Sequence, residues 1–464
     1  MLLPAASADT SGRTPVSWLT HGYDLQRSGY NPNETTIGIA NAARLHVRWA
    51  ANLRAVMIAQ PVEAANVKLR SGMKNVLYEG TEHGDFYALD AATGHTLWHR
   101  KLGSVHANCD EATPDAIFGI GGTAMIDRQR NVVFVAAGDG TVHSLDLATG
   151  RETRGWPIKH TFQPATEHVF GGINERKGKL YVAVASSGCD TPPFKGRLFE
   201  IDIASRKVVH SFYPATPKLS GGGIWGPGGA SIDPANGHVF VATGNALTTP
   251  ESYSYSDHVV ELDPSLNVLG ANYPDLANYP GLVSGDTDFG STPILYRPSG
   301  CPTQQVAAKN KFGLLIVYNE GALNTGYTQR LEIATVKHGQ FNGIPAWDPK
   351  LNMLYVSNSS DAVTGKFFHG LVALRAGSDC QLSLAWQATV GPNLENVSSP
   401  TVANGVVYYG DGPGNTERAF NAATGALLWS SGSIIHGGLY AAPTVVNGML
   451  YVPSWDHKLY AFGP

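Results

Sequence analysis

A phrase returns along this chain, as Ala88-Leu-Asp-Ala-Ala-Thr-Gly-His-Thr-Leu-Trp98, as Ser144-Leu-Asp-Leu-Ala-Thr-Gly150 and as Phe420-Asn-Ala-Ala-Thr-Gly-Ala-Leu-Leu-Trp429. Such repetition constrains the fold strongly, because a unit that cannot bury its own apolar face must stack against its copies. Each copy alternates apolar and polar residues, turns at Thr-Gly, and leads into a second short strand, which ends in Trp in the first and last. The half that precedes it, such as Gly122-Thr-Ala-Met-Ile-Asp127 with Val132-Val-Phe-Val135, or Ala442-Pro-Thr-Val-Val446 with Met449-Leu-Tyr-Val452, supplies two more strands. Weaker copies lie at Leu198–Asp202, Val260–Asp263, Leu371–Leu374 and Leu459–Phe462, with a more diverged one around Gly313–Tyr318. About eight units recur at roughly fifty to sixty residues, the spacing of four-stranded antiparallel propeller blades.

The last unit stops at Phe462 without a fourth strand, while an orphan strand, Leu45-His-Val-Arg-Trp49, precedes the first and ends in the same Trp. Pairing the two closes the ring and leaves no open edge. The expected organisation is all-β: a leader over residues 1–17, a strap over 18–44, and a single eight-bladed β-propeller over 45–464. The aspartates that recur at the turns, Asp90, Asp146, Asp202 and Asp263, are expected to cap them and are excluded from any site.

Composition narrows the class. Charged residues are 15%, Gly 53, Pro 28, and the formal net charge is −4, too little basic charge for a nucleic-acid partner. No stretch approaches the length of a transmembrane helix. The start, Met1-Leu-Leu-Pro-Ala-Ala-Ser-Ala8, reads either as a trimmed export signal or as an ordinary disordered leader. The four cysteines show no Cys-x-x-Cys or Cys-x-x-Cys-His spacing, which excludes attached c-type haem and a thioredoxin-like motif. They fall in connections of neighbouring blades, so two disulfides are expected, Cys109–Cys189 and Cys301–Cys380, in an oxidising compartment, periplasmic or secreted.

The Ala-Leu-Asp-Ala-x-Thr-Gly-x-x-x-Trp phrase resembles the repeat of the pyrroloquinoline quinone (PQQ) propeller family, over nearly the whole chain from Leu45 onward. The resemblance implies the fold; chemistry has to be argued from the pocket, because non-catalytic members share the repeat. In quinoprotein alcohol dehydrogenases a Gly-rich stretch carries the Trp on which the quinone lies, and a Thr-Gly-Asn segment supplies a calcium ligand. Gly221-Gly-Gly-Ile-Trp225 and Thr243-Gly-Asn245 stand here in the same order, so the resemblance implies Trp225 as floor and Asn245 on the metal side. Ser186-Ser-Gly-Cys-Asp190 before Lys195-Gly-Arg197 resembles the segment of the family's acidic ligand, which implies Asp190 as the carboxylate. A carboxylate, an amide and quinone oxygens form a hard-oxygen set suited to Ca²⁺. Lys311 resembles the basic quinone contact, and Asn358 is grouped with these cofactor contacts. The base that takes the hydroxyl proton is left among Asp257, Asp286 and Asp288, with Asp288 nominal.

The chain departs from the methanol and ethanol enzymes. Ala107-Asn-Cys109 holds one cysteine where they carry an adjacent pair, and the arginine after that pair is missing. It is more similar to polyvinyl-alcohol-dehydrogenase-like proteins. The segment Trp18-Leu-Thr-His-Gly-Tyr-Asp24 resembles the family's N-terminal strap.

The expected function is therefore an exported quinoprotein-type oxidoreductase. It would take a small-molecule or polymer alcohol, use PQQ and Ca²⁺, and pass electrons to a separate acceptor such as a cytochrome c. Two alternatives stand beside it. One is a non-catalytic interaction scaffold. The other uses His83, His106, His168, His369 and His436, all in expected blade connections, as ligands for copper or another transition metal at the axis.

Overall fold

The computed structural model describes residues 14–107, 115–161, 163–187, 190–274, 288–311, 313–334, 343–393 and 398–464. Eight sheets follow one another along the chain and are numbered here as blades 1 to 8, over residues 62–101, 125–159, 174–212, 231–272, 294–332, 346–389, 401–430 and 444–463. The architecture is the eight-bladed propeller expected from the repeat. The orphan strand, now His46–Asn52, pairs antiparallel with Lys458–Gly463 and completes blade 8.

One register row explains why blades stack. In blade 1 Tyr78 faces Ala88, which faces Trp98; blades 6 and 8 repeat the row as Tyr355–Ala373–Trp386 and Tyr451–Ala461–Trp49. The small alanine lets the two aromatic rings meet, and both then reach into the next blade. Trp98 Nε1 donates to Leu147 O at 3.0 Å, Tyr78 OH donates to the same carbonyl at 2.9 Å, and a β-carbon at Gly150 would stand 2.6 Å from the indole. Trp49, Trp386 and Trp429 donate in the same way to Ala91, Ala422 and Leu45. The Thr-Gly turn is thus a seat for the neighbour's tryptophan. The recurring aspartates cap those turns, as expected: Asp90 Oδ1 accepts from Ala92 N at 3.0 Å and Asp263 Oδ1 from Ser265 N at 2.8 Å.

Residues 18–31 run around the inner strands and bond to every blade in order. Trp18 exchanges backbone bonds with Glu63 at 2.9 Å, Leu19 O accepts from Ile126 N, and Thr20 Oγ1 donates to Ile173 O. Leu25, Gln26, Ser28 and Gly29 carbonyls then accept from Ile232, Leu295, Trp347 and Val402, and Asn31 Nδ2 donates to Val445 O. Arg27, wholly buried, donates to Thr20 Oγ1 at 2.7 Å and to three carbonyls, those of His21, Gly172 and Ala230. Cys301 and Cys380 are joined, tying blade 5 to blade 6 as expected; Cys109 and Cys189 lie outside the described residues.

Candidate functional site

Inner strands run from one face of the ring to the other, so connections from the second to the third strand, and from one blade to the next, gather on a single face. The segments singled out from the sequence are stitched together there, from blade 3 through blade 5. Trp225 packs on Ala185 and Phe170, and the residue after Ala185, Ser186, donates through Oγ to Asp190 Oδ1 at 2.8 Å. Gly196 N donates to Gly221 O at 3.0 Å, Gly222 N to Asn245 O at 2.7 Å, and Gly244 N to Gly223 O at 2.6 Å. Beyond them Phe289 N donates to Thr243 O at 3.4 Å, and Lys311 N to Asp288 O at 2.9 Å.

Glycine is needed where these backbones press on the indole. A β-carbon at Gly223 would stand 2.7 Å from Trp225 Nε1; one at Gly244 would stand 2.8 Å from that atom and 2.7 Å from Asp288 Oδ2. The indole edge, the Gly244 backbone and the Asp288 carboxylate therefore converge on one point. Lys311 Nζ pairs with Asp288 Oδ1 at 2.7 Å and lies 5.6 Å from the Trp225 ring centroid. Asp288 has no exposure and Lys311 little, so the two charges compensate each other in a dry setting.

Asp257 is also buried, with its N–H donated at 3.1 Å to the carbonyl of Gly244, the residue before Asn245. Asp286 lies outside the described residues. Asn358 is buried in blade 6, and its amide nitrogen is occupied by the carbonyls of Ile333, Ser360 and Phe368. Two residues before Lys311, Lys309 is wholly buried and donates to Ser357 O at 2.7 Å; burial lowers its ammonium to about 7.

The five histidines lie in connections on the same face, and among the described residues no three of them gather. His83 pairs with Asp115 at 2.6 Å, His369 with Asp361 at 2.7 Å, and His106 and His436 are exposed. His168 is buried against Phe118 and Phe170 with Nε2 3.9 Å from Glu82 Oε2. Burial lowers His168 to about 3 and raises Glu82 to about 8, so both stand neutral at pH 7. Among the described residues, the one metal-capable group of three or more side chains contains none of the five. Sequence reasoning missed the contact of Glu82 with His168, and the Phe170 ring 5.6 Å from Trp225, because residues so far apart along the chain carry no local pattern.

Comparison with known proteins bears out the propeller fold. A family profile described as glucose/ethanol/alcohol dehydrogenase, β-propeller domain, matches residues 18–163, and one described as outer membrane protein assembly factor BamB matches 375–463. The chain is 26% identical to a polyvinylalcohol dehydrogenase of Pseudomonas sp, over 95% of its own length and 73% of that protein. Among solved structures it is similar to the quinohemoprotein alcohol dehydrogenase ADHIIG of Pseudomonas putida HK5, with TM-score 0.74, 15% identity, and coverage of 96% of this chain and 80% of that one. It is likewise similar to a europium-containing methanol dehydrogenase, with TM-score 0.72, 16% identity, and coverage of 98% and 99%. Among the described residues, no helix is long and apolar enough to cross a membrane.

Proposed function

The chain is a PQQ-repeat β-propeller related to polyvinyl alcohol dehydrogenase, and from that premise we propose that it is a quinoprotein-type oxidoreductase that oxidises an alcohol, small or polymeric. The observation that carries this reading is the ion pair of Asp288 with Lys311 at the edge of Trp225, where Gly223 and Gly244 bring backbone against the indole. A buried carboxylate with its own counter-charge, beside a flat aromatic surface flanked by side-chain-free backbone, suits proton abstraction next to a planar ligand.

The residues present fit a quinone and a hard cation by the chemistry of their donors. Trp225 would be the platform, Lys311 the contact to quinone oxygens, and Asp190 and Asn245 the metal side, with Ca²⁺ the cation we propose. When bound, these groups supply a two-electron acceptor polarised by a Lewis acid. The remaining work belongs to the chain. Asp288 takes the hydroxyl proton of the alcohol, and Lys311 balances the carboxylate's charge and holds it against the indole edge. The packing of Trp225 on Phe170 and Ala185 keeps the floor rigid.

Action in the periplasm or outside the cell, with electrons passed to a separate acceptor such as a cytochrome c, is part of the same proposal. The test is titration of the purified protein with PQQ in the presence of Ca²⁺, followed by absorbance and by dye reduction with alcohols that include poly(vinyl alcohol). Saturable quinone binding with metal-dependent turnover is the expected result. Failure to bind the quinone overturns the reading and leaves the scaffold, and stoichiometric copper would return the argument to the histidines.

A further inference from the structure

On the face opposite the candidate site, the seam between blades 4 and 5 lacks the aromatic row that stacks blades 1, 6 and 8 on their neighbours. The row that reads Tyr78–Ala88–Trp98 in blade 1 reads Phe240–Glu261–Gly270 in blade 4. Both donors that reach into the next blade are lost, and a carboxylate stands in the place of the alanine. Glu261 is buried; its Oε1 lies 2.8 Å from His238 Nδ1, and its Oε2 accepts from Gly321 N of blade 5 at 3.0 Å. A second acid from blade 5, Glu320, is held beside it by Asn236 Nδ2 at 2.9 Å, and Asn236 Oδ1 also accepts from His238 N.

The molecule contains its own control. In blade 3 the same row reads Tyr181–Glu200–His210, and there the buried Glu200 faces a lysine, Lys179, at 3.3 Å. The residue of blade 4 at the Lys179 position is His238, and the other groups drawn in are Glu320 and Asp233 rather than a cation.

We propose that His238, Glu261 and Glu320 form a binding site for a divalent cation of zinc type that clamps blade 4 to blade 5. One ligand atom from each lies within 4.8 Å of the others, so closing on a Zn²⁺ with bonds of about 2.0–2.2 Å needs contraction of the cluster and no change of fold. One imidazole nitrogen with two carboxylates suits zinc better than calcium, which prefers an all-oxygen shell. The clamp would act where the indole and phenol donors are absent, next to the seam that Cys301–Cys380 ties.

The test uses the full chain after chelation, titrated with ZnCl₂ by calorimetry, with thermal melting in parallel. The expected result is one zinc per chain and a melting temperature that rises with zinc concentration. Glu320→Gln and His238→Asn should each weaken binding at least about tenfold and abolish the rise, on chains that circular dichroism shows to be folded. Glu251→Gln, at an exposed side chain on the opposite face, should change neither. The proposal is overturned if the wild type takes no zinc at micromolar concentration. It is equally overturned if both cluster variants bind zinc as tightly as wild type, or if binding disappears in Glu251→Gln instead.

Discussion

Lys311 Nζ sits 2.7 Å from Asp288 Oδ1 at the edge of Trp225, and the carboxylate it meets has no contact with solvent. Two buried charges that satisfy each other are tolerated together and costly apart. Everything proposed for the reaction turns on this pair.

Asp288→Asn keeps the shape and removes the proton acceptor. Alcohol-dependent dye reduction is expected to fall by about 10²–10⁴-fold with quinone binding retained, as separate kinetic and titration readouts would show. Unchanged turnover would move the base to Asp257.

Lys311→Met leaves the Asp288 carboxylate buried without its partner. A loss of about 3–5 kcal/mol in urea denaturation is expected, and the double variant with Asp288→Asn should recover part of it. Additive losses would mean that the two side chains do not depend on each other.

Gly150→Ala is expected to cost about 1–3 kcal/mol, because its β-carbon would meet Trp98 of the preceding blade at 2.6 Å. Gly321→Ala is the control. It has a comparable positive φ of 75° with nothing within 4 Å of the added carbon, so only the conformational cost of about 1 kcal/mol applies. Equal losses would remove the turn's role as a seat.

His168 is held neutral in the fold, its value lowered from 6.5 to about 3 by burial. Below pH 6.5 the unfolded chain binds the proton and the folded chain does not, so the stability tied to this neutrality is complete above 6.5 and drains away as pH falls toward 3. His168→Phe should flatten the loss of stability between pH 6.5 and 4.5 by up to one proton. Parallel profiles for the two proteins would show that His168 does not contribute to it.

Removal of the Cys301–Cys380 bond by Cys301→Ala with Cys380→Ala opens a loop of sequence separation 79 and is expected to cost about 2–5 kcal/mol in non-reducing denaturation. If the melting curve does not move, the seam is held by its other contacts.

The sequence by itself determined the ring. Alternation, the Asp and Thr-Gly turn and the terminal Trp are local signals, because within blades 1 to 7 the blade strands pair with neighbours along the chain, and an orphan strand at Trp49 with a truncated last blade determined how the ring closes. It also marked the stretches around Trp225, Asn245 and Lys311. Only the tertiary structure decided that Lys311 reaches Asp288 beside Trp225, that Asn358 has its amide nitrogen taken up by three carbonyls, that among the described residues no three of the five histidines gather, and that His238, Glu261 and Glu320 converge across a seam. The reason is geometric. Those residues come from different strands, connections and blades, and their separations are set by the register of each sheet and the packing of one blade on the next, quantities that no short window of sequence contains.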